Sequence, residues 1–330
     1  MRQRMHSTAS NLRAIVICGP TGIGKTTFAI ELAEAFHGEI IGADSMQVYR
    51  HMNIGTAKPT PQERAKIVHH MVGIIDPDEP FDAESYAAKA YQIIKMLTEQ
   101  QILPLVAGGT GLYIKALEYG LVAAPPGDKA LRNRLKSEAE NLGTEALLRR
   151  LRQVDPMTAD KLHPNDAYRI IRALEIFELT GQPISAIQAR HQFQKKRLST
   201  LKLGLKMERQ ALYDRIDRRV DLMISKGLLA EVKALLASGY ASGLKSMQSI
   251  GYRHMTDYLS GRLNWAQAVD TMKRDTRRYA KRQFTWFRAD KEIVWIDPIF
   301  SPEVRDTVQK FMAGCDDGCR RTAGADFDKP

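Results

Sequence analysis

The sequence predicts an α/β protein, a parallel-sheet core built on a P-loop and carrying an all-helical insertion, and three observations predict it. The apolar run Ala14-Ile15-Val16-Ile17-Cys18 leads into Gly19-Pro20-Thr21-Gly22-Ile23-Gly24-Lys25-Thr26 and then an amphipathic segment, Phe28 to Phe36. That order is strand, phosphate loop, helix. Further apolar runs, Glu39 to Asp44, Leu103 to Ala107 and Thr200 to Leu205, are separated by helical stretches such as Ala83 to Glu99, as parallel strands with crossovers require. From Asp128 to about Leu198 the strands stop, and Leu131, Leu135, Leu142, Leu147, Leu148 and Leu151 fall at helical spacing among frequent arginines.

These observations divide the chain into a P-loop NTPase-like core over 1–123, a helical insertion over 124–199, a second part of the core with a basic C-terminal helix over 200–312, and a disordered tail over 313–330. With 330 residues, 44% hydrophobic, the chain is long enough for two domains with real cores. No apolar run approaches the roughly 20 residues that span a bilayer, and the polar segment before Ala14 lacks the apolar core of a signal peptide. A cytoplasmic protein with no membrane role is expected, and three cysteines fit that compartment. Cys18 lies in the first strand, while Cys315 and Cys319 sit in a tail too poor in histidine for a zinc site. The formal net charge of +11 points to a polyanionic partner, with nucleic acid leading.

The loop supplies the first chemistry. Its glycines let successive backbone N–H groups turn toward a phosphate, and the following helix adds partial positive charge. Lys25 brings a full charge, and Thr26 suits a Mg²⁺ whose other ligands are phosphate oxygens and water. The second strand ends at Asp44, followed by Ser45-Met46-Gln47-Val48-Tyr49. Carboxyl ends of parallel strands face the ligand crevice, so Asp44 is the first catalytic candidate, with a helix N-cap and a magnesium-shell carboxylate as alternatives. Asn53-Ile54-Gly55-Thr56-Ala57-Lys58-Pro59 reads as a substrate loop. His69-His70 precedes a predicted strand, Met71 to Ile75; the two rings point to opposite faces and cannot share a metal. Gly108-Gly109-Thr110-Gly111-Leu112-Tyr113 opens a second glycine loop at a strand end, which aims Thr110 at the same ligand.

Past residue 200 the charge-bearing candidates are mainly arginines. Arg215 and Arg219 are four apart on one helical face and suit a diphosphate leaving group, although Asp214 and Asp221 are equally available partners. The stripe Arg274, Arg277, Arg278, Lys281 and Arg282 suits a phosphate backbone, while Phe284, Trp286 and Phe287 suit core packing.

Taken together, Gly19 to Thr26, Ala43 to Tyr49, Ile54 to Pro59, Gly108 to Tyr113, Asn165-Asp166, Arg169 to Glu175, Ile250-Gly251-Tyr252 and Arg277 to Gln283 resemble the tRNA dimethylallyltransferases, in family order from about residue 14 to 288. The resemblance implies transfer of a dimethylallyl group from dimethylallyl diphosphate, with Mg²⁺, to N6 of the adenosine just 3′ of the anticodon. It implies that Asp44 is the base near N6, that Asp44, Ser45, Met46 and Gln47 read the flipped base, and that Thr110 touches the diphosphate. It further implies tRNA contacts from Arg132, from Tyr168, Arg169, Ile170, Ile171 and Arg172, and from the turn Gly251-Tyr252-Arg253. The chain departs from the pattern at Gly22-Ile23, where many members have Ala-Ser, and at Arg253-His254, where Lys-Glu is common. A monomer acting on the anticodon stem-loop is the expected assembly. Two other classes use the same loop: a kinase, which would turn over ATP without RNA, and a nucleic-acid-dependent ATPase, which would need a metal strand and a glutamate base.

Overall fold

The computed structural model describes residues 12–121, 127–191 and 196–314. The chain divides into two compact units, Tyr119–Lys196 and the remainder. In the larger unit, β1 (Arg13–Cys18), α1 (Lys25–Phe36), β2 (Gly38–Gly42), α2 (Pro61–Lys66), β3 (His69–His70), α3 (Ala83–Glu99), β4 (Leu103–Gly108) and α4 (Gly111–Tyr119) come first. The smaller unit holds α5 (Lys129–Leu142), α6 (Thr144–Val154), α7 (Pro156–Ala159), α8 (Ala167–Thr180) and α9 (Ile184–His191). The larger unit resumes with β5 (Ser199–Leu205), α10 (Arg209–Ser225), α11 (Leu228–Ala237), α12 (Tyr252–Leu259), α13 (Trp265–Arg288), β6 (Ile293–Ile296) and α14 (Pro302–Met312).

The six strands form one parallel sheet in the order β3-β2-β4-β1-β5-β6. β1 lies inside it because its residues are apolar on both faces, the mark of a strand covered by helices on each side. Ile15 and Ile17 join Phe28 and Leu32 of α1 and Val304, Val308 and Phe311 of α14 in one core cluster. By strand alternation Val16 faces the other way, the side on which α3 packs against β1, β2 and β4. Since β2 and β4 both lie on one side of β1 and β5 on the other, the chain reverses direction at β1, and the crevice opens at the carboxyl end of that strand.

Lys202 of β5 is 2% exposed and is held by Glu118, Asp290 and Glu292 at 3.0, 2.6 and 3.1 Å. Burial works against its charge, but these carboxylates outweigh it and raise the ammonium above its ordinary range.

The smaller unit closes its own core with Leu135, Leu147, Leu148, Leu151, Ile170, Ile171, Ala173 and Leu174. Its boundaries differ from the sequence-based expectation of 124–199: it begins at Tyr119, and Ser199 belongs to β5, where it pairs with Arg13 of β1. The strand expected over Met71 to Ile75 is also corrected. Pairing with β2 stops at His70 because Met71 and Gly73 take positive φ (62° and 65°), turning the chain before a lone bridge from Ile75 to Tyr49. Among the described residues no helix is long and apolar enough to cross a membrane. The tail expected over 313–330, with Cys315 and Cys319, lies outside the described residues from 315 onward.

Candidate active site

The phosphate loop owes its shape to three glycines with positive φ, Gly19 at 145°, Gly22 at 82° and Gly24 at 107°. Ile23 is the loop's anchor: its side chain is fully buried in the core cluster, which leaves backbone rather than side chain for a ligand. Gly24 caps α1 without a side-chain hydrogen bond, so the first-turn N–H groups carry no competing cap. Lys25 Nζ donates to the carbonyls of Gly19 (2.9 Å) and Pro20 (2.8 Å). Burial lowers its ammonium to about 8, with Asp44 pulling the value up and Arg219 pulling it further down.

A crevice of about 1040 Å³ opens in front of this loop, lined by Thr21, Lys25, Thr26, Asp44, Lys58 and Arg219 among others. Asp44 comes to it from the end of β2. Its Oδ1 accepts from the N–H groups of Met46 (2.8 Å) and Gln47 (3.3 Å), closing a turn over 45–48 where no helix follows, so the helix N-cap weighed as an alternative does not form; among the described residues Oδ2 has no hydrogen-bond partner. The turn fixes the carboxylate without using it up. Thr110 stands beside it: its N–H donates to Ala43 O (3.1 Å) and its Oγ1 accepts from Ser45 N–H (3.0 Å). This close approach of β2 to β4 needs Gly108, where a Cβ would lie 2.0 Å from Ala43 O.

Arg215 and Arg219 of α10 line the same crevice. The carboxylates that competed for them are engaged elsewhere, Asp214 with Gln210 and Asp221 with Lys273. Among the described residues neither arginine has an ion-pair partner. Burial lowers the Arg219 pKa, Asp44 opposes that, and Arg215 adds to it. The loop after Asn53 forms another wall. Glu231 of α11 accepts from the N–H groups of Asn53 (2.9 Å), Ile54 (2.8 Å) and Gly55 (3.2 Å) and from the hydroxyl of Tyr252 (2.6 Å). Gln47 Nε2 donates to Thr56 O and Ala57 O, each at 3.2 Å. Lys58 donates to Tyr49 O and Asn53 Oδ1, and burial lowers its ammonium to about 8.

The residues assigned to tRNA by resemblance fall in unlike surroundings. The side chains of Ile170 and Ile171 are buried in the smaller unit's core, and that of Tyr252 is fully buried with its hydroxyl on Glu231, which leaves only their backbone for a tRNA contact. Gly251 is also buried, at φ 92°. Arg132 (2.9 Å) and Arg172 (2.6 Å) converge on buried Glu175. Burial opposes ionisation there, but the two arginines outweigh it and hold the carboxyl below its ordinary range. Tyr168, 77% exposed, remains open on α8, and Arg169, also exposed, meets Asp166 at 3.5 Å. Arg253 pairs with Asp275 at 2.9 Å. In the basic stripe, Arg277 pairs with Asp217, and Arg274 and Arg278 reach Asp275; Lys281 and Arg282 are exposed. Of the three aromatics expected in the core, Phe287 is buried and Phe284 meets Trp295, whereas Trp286 is 44% exposed.

Comparison with known proteins converges on one group. Residues 47–290 match the family described as IPPT, IPP transferase. The chain belongs to this family, the tRNA dimethylallyltransferases. A tRNA dimethylallyltransferase of Desulfosudis oleivorans is 56% identical over 86% of this chain and 91% of its own length. One from Syntrophobacter fumaroxidans is 53% identical over 88% and 85%. The crystal structure of the full-length tRNA isopentenylpyrophosphate transferase of Bacillus halodurans matches with TM-score 0.67 and 40% identity, covering 92% of this chain and 96% of that one. A eukaryotic dimethylallyltransferase acting on tRNA matches with TM-score 0.77 and 29% identity, covering 92% and 80%.

Two residues of this transferase site, Glu231 and Gln283, are not among the site candidates read from sequence. Glu231 is invisible because a carboxylate that serves three backbone N–H groups has no motif. Gln283 has a signal: Ala268, Met272, Ala280, Gln283 and Phe287 form the buried stripe of α13, and a glutamine at a core position needs partners.

Proposed function

We propose that the crevice grips the diphosphate of dimethylallyl diphosphate between the phosphate loop and the Arg215–Arg219 face, and that Asp44 serves the acceptor. The protein is a tRNA dimethylallyltransferase, which joins a dimethylallyl group to N6 of the adenosine immediately 3′ of the anticodon. The observation that carries the site assignment is the convergence of Lys25, Arg215 and Arg219, none paired to a carboxylate by hydrogen bond, with the half-free carboxylate of Asp44 on one crevice.

An exocyclic adenine amine is a weak nucleophile, so the reaction depends on how well the leaving group is stabilised. As the bond from N6 to the allylic carbon forms, the carbon–oxygen bond to diphosphate breaks and the diphosphate leaves with the electron pair. Lys25, Arg215, Arg219 and the first-turn N–H groups of α1 stabilise that charge. The proton lost from N6 passes to Asp44 Oδ2, while Met46 and Gln47 hold Oδ1 still. Thr110 keeps Ser45 beside the base, and its position at the strand end supports a contact to the diphosphate.

The oxygen donors suit Mg²⁺. The Thr26 hydroxyl and the Asp44 carboxylate line one crevice, and among the described residues no group of three His, Cys, Asp or Glu could hold a metal unaided. A Mg²⁺ that arrives on the diphosphate, keeping phosphate and water ligands, fits this set. When bound it neutralises leaving-group charge. For tRNA, exposed Tyr168 and Arg169 are candidate contacts on the smaller unit, and exposed Lys281 and Arg282 on the larger. A tRNA substrate fits a cytoplasmic site of action.

The test mixes purified protein with labelled dimethylallyl diphosphate, Mg²⁺ and unmodified tRNA. Label in that adenosine, lost with Asp44→Ala, is the expected result. No transfer, together with ATP turnover indifferent to RNA, would return the loop to the kinases.

A further inference from the structure

We infer that Gln283 is a positioning residue that couples the phosphate loop to the loop carrying Thr110, and so sets the spacing between leaving group and base. The inference rests on the proposed reading of the site. Gln283 lies on α13 and is 6% exposed. Its Oε1 accepts from Thr21 N–H at 2.8 Å, and its Nε2 donates to Gly109 O at 2.8 Å. Thr21 belongs to the loop after β1, Gly109 to the loop after the neighbouring strand β4. One amide thus bridges two loops more than eighty residues apart in sequence.

The chemistry of the two partners fixes the amide. Thr21 offers a donor and Gly109 an acceptor, so the side chain must present one acceptor and one donor at the same reach. Glutamate cannot donate when ionised, methionine has the length without the hydrogen bonds, and asparagine is one methylene short. The surrounding residues are built to this contact. A Cβ on Gly109 would lie 2.1 Å from Gln283 Nε2, and one on Gly111 would lie 2.0 Å from Trp286 Nε1, one helical turn further along α13. The Tyr279 hydroxyl sits against both Thr110 and Gln283.

The bridge continues to the base. Gly109 precedes Thr110, Thr110 Oγ1 receives Ser45 N–H, and Ser45 follows Asp44. A displacement of the diphosphate loop is therefore transmitted through Gln283 to the carboxylate, and loss of the bridge frees each loop to settle separately. A misplacement of about 1 Å in a reacting pair costs about a hundredfold in rate, while each loop can still bind its own ligand. Gln283 lines the crevice, but both polar atoms of its amide are committed to Thr21 and Gly109, so it acts through the two loops.

The experiment compares wild type with Gln283→Met and Gln283→Glu, full length. Steady-state transfer to tRNA is expected to show kcat reduced about a hundredfold for Gln283→Met, with KM for dimethylallyl diphosphate within about threefold. Gln283→Glu, which keeps the Thr21 bond but opposes Gly109 O and adds negative charge, is expected to lose as much kcat and also to raise that KM. Hydrogen–deuterium exchange gives a readout independent of turnover. Dimethylallyl diphosphate without tRNA or Mg²⁺ should protect both the 19–27 segment and the 45–47 segment, which is reached only through the bridge and Thr110, in wild type, and only the first in Gln283→Met. Equal protection of 45–47 in the variant, or a kcat within twofold of wild type, overturns the inference. A wild type that shows coupled protection but no transfer to tRNA would sink the functional reading and leave the coupling standing. If Gln283→Met does not fold, the Gln283→Glu exchange pattern decides by the same criterion.

Discussion

The charge on Lys25 gives the sharpest test of the phosphate grip, because burial has moved it into an accessible pH window. The drop from 10.5 to about 8 corresponds to about 3 kcal/mol against the ammonium in the ligand-free protein. A diphosphate reverses that balance by supplying the missing counter-charge, so above pH 8 binding must take up a proton. The second ionisation of a phosphate group lies near pH 6, so the ligand itself changes little above pH 7. Raising pH from 7.5 to 9.0 should then weaken dimethylallyl diphosphate binding about eightfold, the ratio of charged lysine at the two values. Stability of the ligand-free protein moves the opposite way. The unfolded chain holds its lysine proton up to about 10.5 while the folded chain releases it near 8, so between those values this group adds stability as pH rises. Calorimetric titration of wild type and Lys25→Met across this range separates the effects. The variant should bind weakly at every pH, with a shallow slope left by Lys58, which also titrates near about 8 and lines the crevice. A flat wild-type profile, or a variant as steep as wild type, would refute the assignment of Lys25 to the diphosphate.

Asp44→Asn should keep the loop folded, since Asn Oδ1 can still accept from Met46 N–H, yet lose 10²- to 10⁴-fold in kcat, roughly what a positioned general base supplies. A kcat within tenfold of wild type would remove the base role. Arg215→Ala and Arg219→Ala should each weaken dimethylallyl diphosphate binding by roughly 10- to 100-fold, the worth of a charge-assisted hydrogen bond, with the more buried Arg219 the larger; unchanged affinity in both would move the leaving group elsewhere. Tyr252→Phe removes the buried hydroxyl bond to Glu231 and should destabilise the protein by about 1–3 kcal/mol. A thermal melt with an unchanged midpoint would show that the 53–55 wall stands without it.

The parts of the fold that are legible in sequence are those where local chemistry and tertiary need coincide. β1 and its loop are readable because burial on both faces demands a continuous apolar run and the phosphate turn demands glycine at positive φ. The helix over Ala83–Glu99 follows from an unbroken apolar stripe and an Asp82 cap. Met71 to Ile75 misleads because an apolar run says "buried" without saying "paired", and the left-handed Met71 breaks the ladder. The same ambiguity touches the site. Asp44, Thr110 and the phosphate loop are readable as strand-end residues, whereas the arginines are not, because sequence cannot say which carboxylate each one meets. Asp221 could have held Arg219, but instead takes Lys273. Glu175 and Glu178 on its own helix are the partners sequence offers Arg172, and Glu175 takes it; that Glu175 also claims Arg132, 43 residues earlier, is not readable there.

That distinction bears on why a phosphate loop can serve a transferase that moves carbon. In phosphoryl transfer the loop must stabilise a phosphorus centre in flight, with a nucleophile in line with it. Here the carboxylate nearest the loop has one oxygen locked by two backbone N–H groups and the other open to the crevice, while the arginines opposite have no carboxylate of their own. Their charge is available for a leaving group, and the carboxylate for a proton arriving from the acceptor side. A grip on diphosphate that stays fixed while the allylic carbon moves away needs the two sides held at constant separation. The fold meets that need by joining the ends of adjacent strands, through Gly108 on Ala43 and through Gln283 between the two glycine loops. On the proposed reading of the site, the loop supplies charge stabilisation alone, and the identity of the reaction is decided by what stands across from it.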